Sequence, residues 1–374
     1  MSSPDFVSRR RSILERLREE ELQGYYTNSL LNLRYLTGFD GTAGGLLLSR
    51  TDTDGSATLF VDGRYRNYAS QLCDTGNLSV QLIEDNRHRS LDHELSRQSL
   101  QSIHFERDEL QYGTFLSIKN KVTSPDRREY GDNWVAQERQ RKDTFELDTI
   151  EEAIELTLDV FELIESWLEP GLSELDLSRS IRRELESRSE GLAFDPLVLI
   201  GENTANPHCP ATDRSLSDED ALLVDMGLKI NGYCSDITRM FFMDSVDEKY
   251  RELYDLSKQA AARAFKEIES GRSVKEITME AHQVIENAGY GDNLRHGLGH
   301  GVGLNVHEQP SLSDSSNAEL ETGMVVTLEP GIYIDGFGGG RIEHMIVVEE
   351  DSARLLDTPD DILRQELTDN GNNQ

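Results

Sequence analysis

Three of the nine histidines fall within one short stretch, HGLGHGVGLNVHE, as His296, His300 and His307. His296 and His300 stand four apart, the spacing that places two imidazoles on one helical face in a zinc protease. Glycines at 297, 299, 301 and 303 interrupt the stretch at every second position, each costing about 1 kcal/mol inside a helix. The stretch therefore reads as extended chain and turns, and the histidines' partners must come from elsewhere. Carboxylates in apolar strands supply them. The segment LLVDMGLKINGYCSDITRMFF alternates as two strands around Asn231-Gly232, the dipeptide of a two-residue hairpin turn. That turn sets Ile230 opposite Tyr233 and Asp225 opposite Thr238. Asp225 and Asp236 then share one face as diagonal neighbours, with alpha carbons about 7–8 Å apart. Glu329 closes the apolar strand GMVVTLEP, where Pro330 holds it out of the helical region, and Glu343 sits in the strand GRIEHMIVV. A carboxylate in an apolar strand is costly to bury unless paired or metal-bound. Four of them with His300 make a hard, oxygen-rich set for two divalent ions about 3.5–4 Å apart. Such ligands suit manganese, and also cobalt, iron or zinc.

The elements that must position these residues show an internal repeat. From 145 onward the chain reads as two pairs of long amphipathic helices, FELDTIEEAIELTLDVFELIESWL with ELDLSRSIRRELESRS, then DEKYRELYDLSKQAAARAFKEIES with VKEITMEAHQVIENAG. Gly171 and Ser173 in the first break match Gly271 and Ser273 in the second, each serine placed to cap the next helix, Ser273 with Glu276 as in a capping box. Strand-rich stretches follow each pair, at 194–243 and 294–349. This implies a duplicated helix-helix-sheet unit, with histidine and two spaced carboxylates in each half: His208, Asp225 and Asp236, then His300 or His307, Glu329 and Glu343. Before 142, strands GYYTNSL, GGLLLS, ATLFVDG, SVQLIE and SIHFE alternate with polar helical stretches. The expected domains are 1–142, an α/β domain; 143–360, an α+β domain carrying the site; and an acidic tail, 361–374.

The chain's 374 residues carry 38 basic and 70 acidic side chains, net −32. Residues 1–142 hold 20 basic against 21 acidic, so residues 143–374 hold 18 against 49, net −31. Nucleic acid is thereby excluded as a partner. Eight of the basic residues are Lys, and the acidic ones are spread over helix faces, a pattern that resembles proteins of salt-accumulating halophiles. Apolar runs fall far short of the roughly 20 residues a membrane span needs, and the charged amino end, VSRRRSILERLREEELQG, reads as an amphipathic surface helix, not an export signal. Cys73, Cys209 and Cys234 form neither a metal-type pair nor a disulfide framework. Cytoplasmic residence is the expectation.

The series Asp225, Asp236 in SDITR, His300 in HGLGHGVG, Glu329 in LEPGIY and Glu343 in GRIEH resembles the five-ligand dinuclear site of the pita-bread metallopeptidases, which include methionine aminopeptidase, aminopeptidase P and prolidase. NLRYLTGFDG at 32–41 and LFVDGRY at 59–65 resemble the creatinase-like amino-terminal domain of the last two. The resemblance implies a creatinase-like α/β domain before a pseudo-two-fold pita-bread catalytic domain, two divalent metal ions, Mn2+ ahead of Co2+, Zn2+ or Fe2+, and a homodimer acting on short proline-containing peptides. It makes His300 the one histidine ligand and puts His296, His307 and His208 beside the substrate. Glu329 doubles as general base, and His307 helps hold the oxyanion. Arg341, two before Glu343, orients that ligand, grips a substrate carboxylate, or is a surface arginine. Thr238 is placed as a donor on the Asp225 face. His344, where relatives often carry an acidic residue, points away as a structural residue. The expected activity is hydrolysis before proline by an Xaa-Pro peptidase, broad in length and including dipeptides, with the loop GFGGG at 336–340 leaving room for longer chains. A strict dipeptidase, a peptidase without proline preference and a non-catalytic binding protein are the alternatives.

Overall fold

The structure, a computed structural model, describes residues 3–50, 55–74 and 77–357. The acidic tail expected at 361–374 lies outside the described residues. One compact unit spans Ser3–Arg139 and the other begins at Gln140.

The first unit is a six-stranded mixed sheet flanked by helices. Its strands are β1 (Gly24–Thr27), β2 (Gly45–Ser49), β3 (Ser56–Val61), β4 (Leu78–Leu82), β5 (Ser102–Glu106) and β6 (Arg127–Gly131), in the order β4-β3-β2-β1-β5-β6. Its helices are α1 (Phe6–Glu19), α2 (Leu30–Thr37), α3 (Arg66–Gln71), α4 (Arg87–Arg97), α5 (Tyr112–Lys121) and α6 (Trp134–Glu138). The first five strands follow the apolar runs of the sequence. β6, RREYG, was not anticipated: it is an edge strand held by parallel pairing to β5 and needs no apolar face of its own. The amino-terminal helix also differs from a plain surface helix. Arg9 and Arg10 are buried and donate to the carbonyls of Tyr35 and Leu36 at 3.1 and 2.7 Å, satisfying carbonyls that the last turn of α2 leaves open.

The second unit is built twice over. Helices α7 (Thr144–Trp167) and α8 (Glu174–Arg188) precede strands β7 (Gly191–Leu192), β8 (Leu197–Ile200), β9 (Ala221–Met226), β10 (Leu228–Ile230), β11 (Tyr233–Cys234) and β12 (Ile237–Phe242). Helices α9 (Glu248–Phe265) and α10 (Val274–Asn287) precede β13 (Gly299–Gly301), β14 (Glu308–Leu312), β15 (Val325–Leu328), β16 (Gly331–Ile334), β17 (Gly338–Arg341), β18 (His344–Val348) and β19 (Ala353–Leu355). The main sheets run β12-β9-β8 and β14-β13-β15-β18-β19.

The repeat extends to individual bonds. Gly171 and Gly271 both adopt positive φ, +96° and +84°, and donate to Leu216 and Leu320 at 2.8 and 2.7 Å. Leu216 and Leu320 in turn donate to Leu172 and Arg272, each at 2.9 Å. Ser173 and Ser273 cap α8 and α10 by accepting from the amides three residues on. The complete reciprocal box belongs instead to Asp143 and Glu146 at the start of α7. The second half buries its helix pair against its own sheet, with Leu253, Phe265, Ile277, Ile285, Val326 and Ile346 in that core.

Candidate active site

The hairpin that carries the two aspartates has the register its turn dictates. Asn231 and Gly232 both take positive φ, 46° and 79°, the requirement of a type I′ turn. Ile230 pairs with Tyr233, and Asp225 with Thr238. Asp236 lies in the gap between β11 and β12. Glu343 lies in the matching gap between β17 and β18, not within one continuous strand as the sequence suggested. The two halves interlock there: the Glu343 amide donates to the Thr238 carbonyl at 3.2 Å, and the Asp236 amide points at the Met345 sulfur at 3.2 Å. Leaving the strand at these points turns each carboxylate inward from a backbone that the other half anchors.

Asp236, His300 and Glu343 each offer a ligand atom, and the three atoms lie within 4.8 Å of one another. His300 Nε2 is 3.6 Å from Asp236 Oδ2 and 3.3 Å from Glu329 Oε1. Its Nδ1 sits 3.1 Å from the Gly301 carbonyl; donating there leaves the Nε2 lone pair facing the carboxylates, the tautomer a metal ligand needs. Glu343 accepts from the Thr238 hydroxyl at 2.8 Å and Asp225 from Arg341 at 2.6 Å. The other Asp225 oxygen, Oδ1, is buried with no hydrogen-bond partner among the described residues.

Burial, then repulsion from neighbouring carboxylates, pushes Asp236 and Glu343 well above the usual carboxylate range. Burial raises Glu329 to about 7, and raises Asp225 against the pull of the Arg341 guanidinium. His296 and His300 are pushed down to about 4 by burial and are neutral at pH 7. One arginine against two buried and two half-buried carboxylates leaves the cluster short of positive charge. Oxygen-rich donors, a neutral imidazole and an orphaned carboxylate oxygen are what divalent cations would satisfy.

Arg341 is buried, which removes its reading as a surface residue. It reaches Asp225 and not Glu343 directly: Nε donates to Thr238 at 3.2 Å, one terminal nitrogen to Tyr333 at 3.1 Å and the other to Asp225. All three nitrogens are thus engaged within the protein. Tyr333 escaped the sequence reading. Buried in β16, its hydroxyl lies 2.8 Å from His296 Nε2, while His296 Nδ1 meets the Gly297 carbonyl at 2.8 Å. The available signal was a lone phenol in an otherwise apolar strand following Glu329. Thr327 was also missed. Its hydroxyl accepts the His300 amide at 3.1 Å and donates to Glu329 at 3.4 Å.

His307 is exposed, with its ring edge-on to His300 at 4.4 Å between centroids. His208 is exposed in the loop after β8. His344 points away from the cluster, to Asp357 at 3.0 Å. GFGGG is loop only at its start, where Gly336 is exposed in a turn. Gly338–Arg341 is the buried strand β17, and a side chain at Gly339 would meet the Thr204 carbonyl at 2.7 Å. Cys73, Cys209 and Cys234 form no disulfide among the described residues, and Cys209 is exposed.

Residues 148–350 match metallopeptidase family M24, and residues 9–139 match the creatinase/prolidase N-terminal domain. Over 344 residues the chain is 32% identical to the uncharacterized peptidase YqhT of Bacillus subtilis, covering 90% of this chain and 93% of that one. It is 38% identical over 213 residues to Xaa-Pro dipeptidase of Pyrococcus furiosus, 56% of this chain and 61% of that one. Among solved structures, Xaa-Pro dipeptidase from Bacillus anthracis matches with a TM-score of 0.87 at 30% identity, over 94% of this chain and 97% of that one. X-Pro aminopeptidase from Thermotoga maritima matches with a TM-score of 0.82 at 28% identity, over 91% and 97%.

Proposed function

Because this chain belongs to metallopeptidase family M24 and is a metallo-exopeptidase, we propose that it hydrolyses the bond before proline in short peptides, Xaa-Pro dipeptides above all. The observation that carries this reading is the convergence of Asp236, His300 and Glu343 ligand atoms within 4.8 Å, in a chain similar over nearly its whole length to an Xaa-Pro dipeptidase. Asp225, Asp236, His300, Glu329 and Glu343 would hold two divalent ions, manganese suiting the oxygen-rich set best. When bound, such a pair supplies Lewis acidity and acidifies water toward neutral pH. A cluster with all five ligands argues against a non-catalytic binding protein.

The chain's own groups do the rest. Glu329, steadied by the Thr327 hydroxyl, takes the attacking water's proton and passes it to the leaving imino nitrogen. His307, exposed beside His300, donates to the developing oxyanion. His296 is fixed by Gly297 and Tyr333 and, with His208, lines the substrate's side of the site. Arg341 neutralises Asp225 and holds Tyr333 and Thr238 in register. The resemblance to X-Pro aminopeptidase of Thermotoga maritima supports the second reading, a peptidase that accepts longer chains.

Chelation should abolish hydrolysis of an Xaa-Pro dipeptide, and manganese or cobalt should restore it; full activity in a protein free of metal by elemental analysis overturns the reading. His307→Ala should keep its metal and lose turnover by about 10² or more, the usual effect of a missing oxyanion donor. His300→Ala should lose metal as well, so equal metal contents in the two variants would refute the division of roles.

We read the protein as a cytoplasmic, halophilic homodimer. Among the described residues no helix is long and apolar enough to cross a membrane. The −31 on residues 143–374 is screened at molar salt, where the Debye length is about 3 Å. The catalytic unit should therefore melt at lower temperature in about 0.1 M than in about 3 M potassium chloride, with the nearly neutral first unit responding less. Equal melting of both units at the two salt levels would mark an ordinary acidic protein.

A further inference from the structure

The loop that carries His208 has no regular element to hold it. After Ile200 the chain makes a five-residue 3-10 turn, Gly201–Ala205, then runs through turns and open chain to β9. In the other half the corresponding stretch, 302–307, is fixed by strand pairing. His307 is followed directly by β14, and Glu308 pairs with Gly301 of β13.

Glu174 takes over that task in the first half. It is the first residue of α8, next to the cap Ser173, and it is completely buried. One carboxylate oxygen accepts from the Ile200 amide at 2.6 Å and from the Asn203 side chain at 2.9 Å. The other accepts from the Thr212 amide at 2.7 Å and the Thr212 hydroxyl at 2.6 Å. A single carboxylate thus ties both stems of the loop to the start of α8. A second tether comes from Thr204, whose hydroxyl accepts from the Gly339 amide at 2.7 Å in the strand that bears Arg341.

The repeat supplies the internal comparison. Ser273 caps α10 as Ser173 caps α8, and the flanking backbone bonds coincide, yet the next residue is Val274, also buried. Helix capping alone does not require the acid. A glutamate that served only the helix dipole would stay solvated, whereas a buried carboxylate is retained only where donors meet it. The acid appears in the half whose histidine rides on an unpaired loop.

We propose that Glu174 is a positioning residue for the peptidase reaction, clamping residues 200–212 so that His208 faces the substrate. This rests on the reading of the chain as a peptidase with His208 beside its substrate. Glu174→Gln keeps the size but turns an N–H group toward donors at one stem. In the full-length, metal-loaded protein, Glu174→Gln and His208→Ala are each expected to lower kcat/KM for an Xaa-Pro dipeptide by about ten- to a hundredfold, the scale of a group displaced by about 1 Å. The double variant should be no worse than His208→Ala alone. Independently of activity, hydrogen exchange should quicken in Glu174→Gln at the amides of 200–212 while β9 and β12 keep their protection. Multiplying effects in the double variant, or unchanged or uniformly faster exchange, would overturn the clamp. If no variant nor the parent cleaves any Xaa-Pro peptide, the peptidase reading fails, and local exchange still decides whether Glu174 holds the loop. Should Glu174→Gln not fold, Thr212→Val removes one of the four bonds and carries the same expectations at smaller size.

Discussion

Asp236→Ala is expected to lose at least one bound metal ion and to lower hydrolysis by about three orders of magnitude, since metal catalysis supplies several kcal/mol of transition-state stabilisation. The expectation rests on position. Asp236 shares the tightest ligand set with His300 and Glu343, and its backbone is anchored from the opposite half. Cys209→Ala, adjacent in sequence to His208 but exposed and free, serves as the control and should be near neutral. The same site makes a second, opposite claim about stability. Burial and the neighbouring carboxylates Glu343, Asp225 and Glu329 make the Asp236 charge unfavourable in the folded protein. Stripped of metal, Asp236→Asn should therefore melt at a higher temperature than the stripped parent, while the loaded parent is the most stable of all. Normal metal content and turnover in Asp236→Ala would remove this residue from the centre. A stripped Asp236→Asn that melts below its parent would show that the cluster is not strained by its own charge.

How much of this was legible in the sequence depended on how local the cause is. The register of the aspartate hairpin follows from the two positive-φ residues at its turn, Asn231 and Gly232, and so did the pairing of Asp225 with Thr238. The caps at Ser173 and Ser273 and the glycines before them are equally local. The partners of Arg341 were not legible. A strand face says where a side chain points and nothing about which distant residue receives it, and Asp225 lies 116 residues away. The gaps that place Asp236 and Glu343 also arise from bonds between the halves, which no local periodicity encodes. GFGGG looked like an open loop because glycine favours loops, yet here small size is what lets β17 pack against its neighbours. Glu174 read as an ordinary first-turn acid, and only its four donors, 26 to 38 residues on, distinguish it.

Chain length is where the site should discriminate most after the metal ligands. A series with proline second and one shared first residue, made as dipeptide, tripeptide and nonapeptide, is expected to show the dipeptide cleaved at least about a hundredfold better than the nonapeptide, since sites built for a polar group reject ligands lacking it strongly. The two features that balanced this choice in the sequence no longer do so. Arg341 is held through all three nitrogens by Thr238, Tyr333 and Asp225, so its orientation is set within the protein and not by a substrate carboxylate. The last three residues of GFGGG form a buried strand, so that part opens no groove for a longer chain. What remains is the similarity over 94% of the chain to an Xaa-Pro dipeptidase, against a comparable one to an X-Pro aminopeptidase. A dipeptidase must still meet the carboxylate after proline, and with His307 placed at the oxyanion the exposed His208 is the ring left on the substrate's side to donate to it. His208→Ala should then raise KM for the dipeptide more than it lowers kcat, because a carboxylate that takes no part in bond breaking is bound alike in ground and transition states. Comparable rates along the whole length series would make this an aminopeptidase, and comparable cleavage of a series without proline would remove the proline preference while leaving the metallopeptidase intact.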